Sequence, residues 1–239
     1  MPPIRKGDGT PVTPKGISQI RTGDGRILFD GPAIPDSVIL QPESNDLDSA
    51  NGDTSDYEIN SDPPQYKTDN KIESTVGDAN TRVFWPEGTL NNDPQQGFEL
   101  SAIMTTAESS EGDTADPTYL FGVQDNNNFY AVGLFTGGGD VELAVYKDGL
   151  TSDDIVSRTT VPVDFNDGYE YTAEWESNEI TARIYEIDQN TGERLSDDDI
   201  GSTSFSDSDY SSGGAGFGRS SSRDELCALE HYVNRQPLE

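Results

Sequence analysis

Asn126, Asn127, Asn128, Phe129 and Tyr130 follow one another and bring together the groups that sugar recognition uses. Aromatic faces pack on the CH-rich faces of sugar rings, and amides and carboxylates exchange hydrogen bonds with hydroxyls. Asp125 places a carboxylate directly before them. Neighbours in a strand face opposite ways, so one of Phe129 and Tyr130 is expected at the surface. The plainer alternative is that one of these rings opens a strand and packs inward. Trp85 and Trp175 are further rings. Trp175 stands between Glu174 and Glu176 and is expected to enter the core while the acids face solvent.

Other chemistry is thinner. Glu170, Glu174 and Glu176 are in phase on a strand. Retaining glycosidases need two carboxylates about 5 Å apart, and a chain this rich in acids places several in phase by chance. No catalytic residue is therefore assigned. Cys227 and His231 are four apart and would share a strand face, but Cys227 reads as a small core residue and His231 as a strand-surface one. Ca²⁺ takes six to eight oxygen ligands. Asp46, Asp48 and Asp53 form the first candidate set for it, with Asp125–Asn128 and Asp197–Asp199 as further acidic loops. None has the glycine spacing of an EF-hand. The glycine runs 137–139 and 213–216 are not phosphate cradles, since no Lys-Ser/Thr and no helix follows either.

Charge narrows the classes further. The 239 residues hold 45 Asp and Glu against 15 Lys and Arg, a formal charge of −30. Such a chain is unsuited to general nucleic-acid binding, which neutralises phosphates with cations. No run of eighteen apolar residues exists to span a membrane. No apolar segment follows Arg5 and Lys6, so a Sec signal is not expected. A single cysteine excludes an intrachain disulfide. The acids are 28 Asp and 17 Glu beside only 5 Lys, a balance that resembles proteins of extreme halophiles. In molar salt the Debye length is about 3 Å and self-repulsion is screened.

The charge is also uneven. Residues 1–29 carry Arg5, Lys6, Lys15, Arg21 and Arg26 against Asp8 and Asp24, a net +3, which leaves −33 for the remainder. Ile17–Arg21 and Arg26–Phe29 flank a Gly-Asp-Gly turn, which predicts a hairpin. A lone hairpin is marginal in water and needs something to pack on. Residues 1–35 are thus read as a basic anchoring arm. Its partner-binding residues are Arg5, Lys6, Ile17, Ile20, Arg21, Arg26, Ile27, Leu28 and Phe29. Residues 36–239 form the body. There, strand candidates recur between Asp/Asn/Gly/Ser clusters: 57–60, 81–85, 98–105, 119–124, 130–135, 141–147, 169–175, 180–187 and 228–233. Val141, Leu143 and Val145 share a face, as do Ile180, Ala182 and Ile184. That period of two predicts antiparallel sheets with one wet and one dry face. The expected class is all-β, a two-sheet sandwich with an extended N-terminal arm.

Residues 119–135, with the Val141–Lys147 strand, resemble the centre of concanavalin A-like, laminin-G-type jelly rolls. Gly168–Tyr185 looks like the downstream hairpin of that family and Ser212–Gly218 like its Gly-rich penultimate strand. The resemblance covers about residues 36–235. It implies an antiparallel jelly roll, and in some members Ca²⁺. The laminarinase-type Glu-x-Asp-x-Glu strand is not matched, because Thr172 holds the middle position. Residues 16–36 resemble attachment segments of structural proteins of haloarchaeal tailed viruses. Together these imply a virion protein of turret, decoration or tail-fibre type, assembled in the host cytoplasm. Its partners would be further copies of itself, other virion proteins and a host-surface glycan. The alternative is a carbohydrate-binding or glycoside-hydrolase-like protein of a haloarchaeon, outside any virion.

Overall fold

The computed structural model describes residues 81–238 apart from 89, 91, 107–115, 138, 165–166 and 221–226, together with the earlier strand segments 19–21, 27–30, 38–40, 58–59, 66–68 and 71–74. The chain divides into two compact units, Met1–Asp36 and Ser37–Glu239. In the first, β1 (Gln19–Arg21) and β2 (Ile27–Asp30) pair antiparallel as a two-stranded sheet, the hairpin that the Gly-Asp-Gly turn predicts.

The second unit is an antiparallel jelly-roll sandwich. Its first strands are β3 (Val38–Leu40), β4 (Glu58–Ile59), β5 (Tyr66–Thr68), β6 (Lys71–Ser74) and β7 (Thr81–Trp85). The long central strands follow: β8 (Phe98–Thr106), β9 (Pro117–Asp125), β10 (Asn128–Gly137) and β11 (Asp140–Lys147). After a short 3₁₀ turn at Ser152–Asp154 come β12 (Ile155–Thr160), β13 (Gly168–Trp175) and β14 (Ile180–Glu186). The last are β15 (Gly201–Phe205), β16 (Gly214–Arg219) and β17 (Cys227–Pro237). One sheet of seven strands runs β12-β11-β10-β9-β16-β7-β4; the other, of eight strands, is ordered β15-β14-β13-β8-β17-β6-β5, with β3 as the eighth, paired to β17 off that path. At one side of the sandwich the edges β12 and β15 meet, and the Ser157 and Thr203 hydroxyls lie 2.6 Å apart.

Alternation built the core. Tyr169, Tyr171, Ala173 and Trp175 of β13, Leu143 and Val145 of β11, and Ile180, Ala182 and Ile184 of β14 all enter the main core between the sheets. Each fully buried large apolar side chain contributes about 1.5–3 kcal/mol. The expectation of one wet face per sheet fails for the seven-stranded sheet. A second cluster lies on its other face: Phe84, Leu120, Val123, Phe129, Ala131, Ala144, Tyr146 and Leu150. Leu150, from the turn after β11, is 0% exposed there.

Two irregularities re-aim strands. Gly122 has φ +61, and a Cβ there would come within 2.9 Å of the Trp175 ring. The register of β9 shifts around it, so Phe121 faces the main core while Val123 joins the outer cluster. A second shift lies between Leu229 and His231 in β17. Cys227 consequently lies in the main core and His231 faces outward opposite Ile103, so the pair expected on one face is split.

Candidate functional site

The β9–β10 hairpin turns through Asn126 and Asn127, since Asp125 pairs with Asn128. Asp125 Oδ1 accepts from the Asn127 backbone N–H at 2.8 Å, and both its oxygens accept from Asn128 Nδ2 at 2.7 and 2.8 Å. This side-chain turn is the local chemistry that Asp and Asn favour. Those bonds, the Asn127 N–H first, hold the Asp125 carboxyl below its ordinary value, so it stays ionised. The turn is therefore rigid and charged.

Phe129 and Tyr130 differ from expectation. Both are 0% exposed. Neighbours do face opposite ways, but both faces of this sheet are covered. Phe129 lies in the outer cluster beneath the Arg82 guanidinium, 4.9 Å from the ring centroid. Arg82 also donates Nη2 to the Asn126 carbonyl. Burial lowers its pKa to about 10, against the pull of Asp154. Tyr130 enters the main core edge-on to Trp175.

The accessible ring comes from elsewhere. Tyr210, half-buried in the loop between β15 and β16, packs on Tyr130 with centroids 4.9 Å apart. Its hydroxyl donates to Asp148 Oδ1 at 2.6 Å and reaches Asn128 Oδ1 at 3.4 Å. Asp148 follows β11 with φ +64, a left-handed conformation uncommon outside glycine and least so for Asp and Asn. Its Oδ1 also accepts from the Phe129 N–H at 3.2 Å. On the other flank Lys147 Nζ binds Asp207 at 2.6 Å and Asp209 at 2.5 Å, 5.9 Å from the Tyr210 centroid. Burial alone would lower the Lys147 ammonium, but the two aspartates outweigh it and raise it. Tyr130 Oη donates to Asp207, which locks the buried ring to the rim. Asp125, Asn128, Asp148, Tyr210 and the Lys147–Asp207–Asp209 trio thus share one end of the sandwich.

The outer face of the eight-stranded sheet holds the in-phase glutamates. Glu170 is 4% exposed and not facing solvent. Its Oε1 accepts from Ser101 Oγ at 2.5 Å and from Arg235, and its Oε2 from Arg194. Arg194 also reaches Glu99 at 3.3 Å and stacks 3.6 Å from the Tyr185 centroid. Burial would raise the Glu170 carboxyl, but Arg194, Ser101 and Arg235 together bring it below its ordinary value. A general acid needs the opposite shift. Glu174 pairs with Arg183, and Glu176 lies beyond the end of β13. Sequence reasoning missed this network because Arg194 and Arg235 are remote in the chain from Glu170.

A cleft of about 370 Å³ opens at the far end of the β13–β14 hairpin, lined in part by Asp164, Asp167, Glu186, Asp188 and Leu195. Its aromatic, Tyr169, is 4% exposed and offers no free face. Among the described residues no group of three or more His, Cys, Asp or Glu is arranged to hold a metal ion. Asp46, Asp48 and Asp53 lie outside the described residues, as do Arg5, Lys6, Ile17 and Arg26 of the arm. Ile20 and Arg21 fall in β1, and Ile27, Leu28 and Phe29 in β2.

No protein-family model matches the chain. No curated protein matches it in sequence either. Solved structures match its fold. The CBM2 module of the evolved Dit of Lactobacillus casei BL23 phage J-1 aligns over 84% of this chain and 99% of the module, at 11% identity and a TM-score of 0.50. The carbohydrate-binding module CBM66 from Bacillus subtilis aligns over 74% and 92%, at 12% and 0.47. The Ca²⁺/Man2-bound exoplasmic/lumenal domain of VIP36 aligns over 79% and 85%, at 10% and 0.49. The likeness is one of fold: a lectin-like, concanavalin A-like sandwich.

Proposed function

We propose that this chain is a glycan-binding jelly roll whose site is the rim around Tyr210. The observation that carries the reading is the half-buried Tyr210 ring flanked by Asp148 and Asn128. A ring face for CH groups lies beside carboxylate and amide groups for hydroxyls, on side chains already fixed by hydrogen bonds. Asp125 and the amides of Asn127 and Asn128 extend that polar edge. The test is a glycan array with the full chain in concentrated salt. Tyr210→Ala is expected to reduce binding of the best glycan at least tenfold, because stacking and the Asp148 bond go together. Unchanged binding by a folded Tyr210→Ala chain refutes this site.

The setting is a finer part of the same proposal. The excess of cations in residues 1–29, net +3 against −33 for the remainder, supports anchoring in a larger assembly. The phage J-1 module, a fold relative, belongs to a phage protein, which supports a virion as that assembly. Displayed in many copies, a weak sugar site gains avidity. In this reading the protein is a haloarchaeal virion component assembled in the host cytoplasm, oligomeric with itself and other virion proteins. Deleting residues 1–35 is expected to leave a folded body that no longer enters particles; normal incorporation refutes the anchoring role. Ca²⁺ would be held by Asp46, Asp48 and Asp53; loss of glycan binding on chelation is expected, and chelation without effect excludes the ion.

A further inference from the structure

From the rim's charge and its uncommitted atoms we infer that its ligand is a glycan carrying a free amine, and that acidic sugars are rejected. The inference rests on the glycan reading of the Tyr210 site and names the class of sugar. Four carboxylates converge there, Asp125, Asp148, Asp207 and Asp209, against one ammonium. That ammonium is taken: Lys147 already binds Asp207 and Asp209, at 2.6 and 2.5 Å. Arg82 is 2% exposed, gives Nη2 to the Asn126 carbonyl and covers the Phe129 ring, so it does not face a ligand on Tyr210. A uronate, sialate or sulfate would meet uncompensated carboxylates and, among the described residues, no available donor cation.

The acceptors point the same way. Asp148 Oδ1 is occupied by Tyr210 and Phe129, and its Oδ2 has no partner among the described residues, while the residue is exposed. Asp125 is likewise exposed and pairs with no cation among the described residues. An ammonium placed beside the Tyr210 face would form a charge-assisted bond to Asp148 Oδ2 and a cation–π contact with the ring. Lys147 already makes the equivalent pair of contacts from the other flank, to a carboxylate and over the same ring. A neutral sugar would use the same carboxylate through hydroxyl donors, without the opposite charge and without the cation–π contact.

The test uses three β-1,4-linked tetramers, of glucosamine, glucose and glucuronate, titrated against the full chain at the lowest salt that keeps it folded. Affinity is expected to fall at least tenfold from glucosamine to glucose and again to glucuronate. Asp148→Asn is expected to cut the glucosamine-to-glucose ratio at least fivefold. Because the whole chain carries −30, an amine could also be drawn to it without a site. Asp188→Asn, at the far cleft, is the control for that field and should leave the ratio as it was. Glucuronate binding as tightly as glucose overturns the inference, as does a ratio that falls with Asp188→Asn and not with Asp148→Asn. If no tetramer binds, or Tyr210→Ala changes none of the three, the glycan reading itself falls and takes this one with it.

Discussion

Dilution from molar salt to tenths of a molar is expected to abolish the strand signal of this protein in circular dichroism. Two electrostatic effects oppose each other in that titration. Ion pairs such as Glu170 with Arg194 and Lys147 with Asp207 strengthen as screening falls. Repulsion strengthens too, and acids outnumber bases 45 to 15, so most charges have like neighbours and few have a partner. The Debye length grows from about 3 Å at 1 M to about 10 Å at 0.1 M, which turns on repulsion between carboxylates beyond direct contact. Exposed ion pairs return only about 0–1 kcal/mol each. Repulsion therefore wins. Stability is a small difference, about 5–15 kcal/mol, so tens of weakly repelling pairs can cancel it. A signal independent of salt would refute both the expected loss and the halophilic reading of the composition.

Glu170→Gln is expected to lower stability by about 2–3 kcal/mol, and the melting temperature by about 5–10 °C for a chain this long. Removing one partner of a buried ion pair leaves the others desolvated and uncompensated, at about 3–5 kcal/mol. The smaller figure applies because Arg235 is 40% exposed and water replaces part of its partner. Arg194, at 17%, bears most of the loss. Ser101→Ala should cost about 1 kcal/mol, a single hydrogen bond. The pH dependence has a fixed sign. Folding lowers the Glu170 pKa, so its contribution is full above the unfolded value, about 4.3, and fades as pH falls toward the folded value. The gap between wild type and Glu170→Gln, measured by thermal melts, should close across that acid window. Equal melting at pH 7 would mean the network is energetically idle, and a constant gap would mean Glu170 acts through shape.

Much of the architecture was legible locally. The period of two in residues 141–147 and 180–187 located strands whose inward faces are those observed. Among the strands that went unread are the short β3, β5 and β6 and two edges, β12 (IVSRTT) and β15 (GSTSF). The residues of β12 and β15 alternate between half-buried and exposed, so no clear apolar pattern marks them. The Asn190-Thr191-Gly192 loop has the turn chemistry of Asn and Gly, and Gly192 takes φ +69. Beyond it the chain returns through a single bridge, between Ile187 and Arg194.

By itself the chain's residue order determined an all-β body, its turns, its charge and the hydrogen-bonded Asp125–Asn128 corner, because each of these rests on neighbours in sequence. Tertiary structure alone decided that Phe129 and Tyr130 are both hidden, since alternation says which residues share a face and not whether that face is covered. It also supplied the accessible ring, Tyr210, which meets Asn128 across 82 residues of chain, and the two arginines that quench Glu170, 24 and 65 residues away. Contacts that distant depend on strand order and on the register shifts at Gly122 and His231. Both are fixed by how the two sheets fill the space between them.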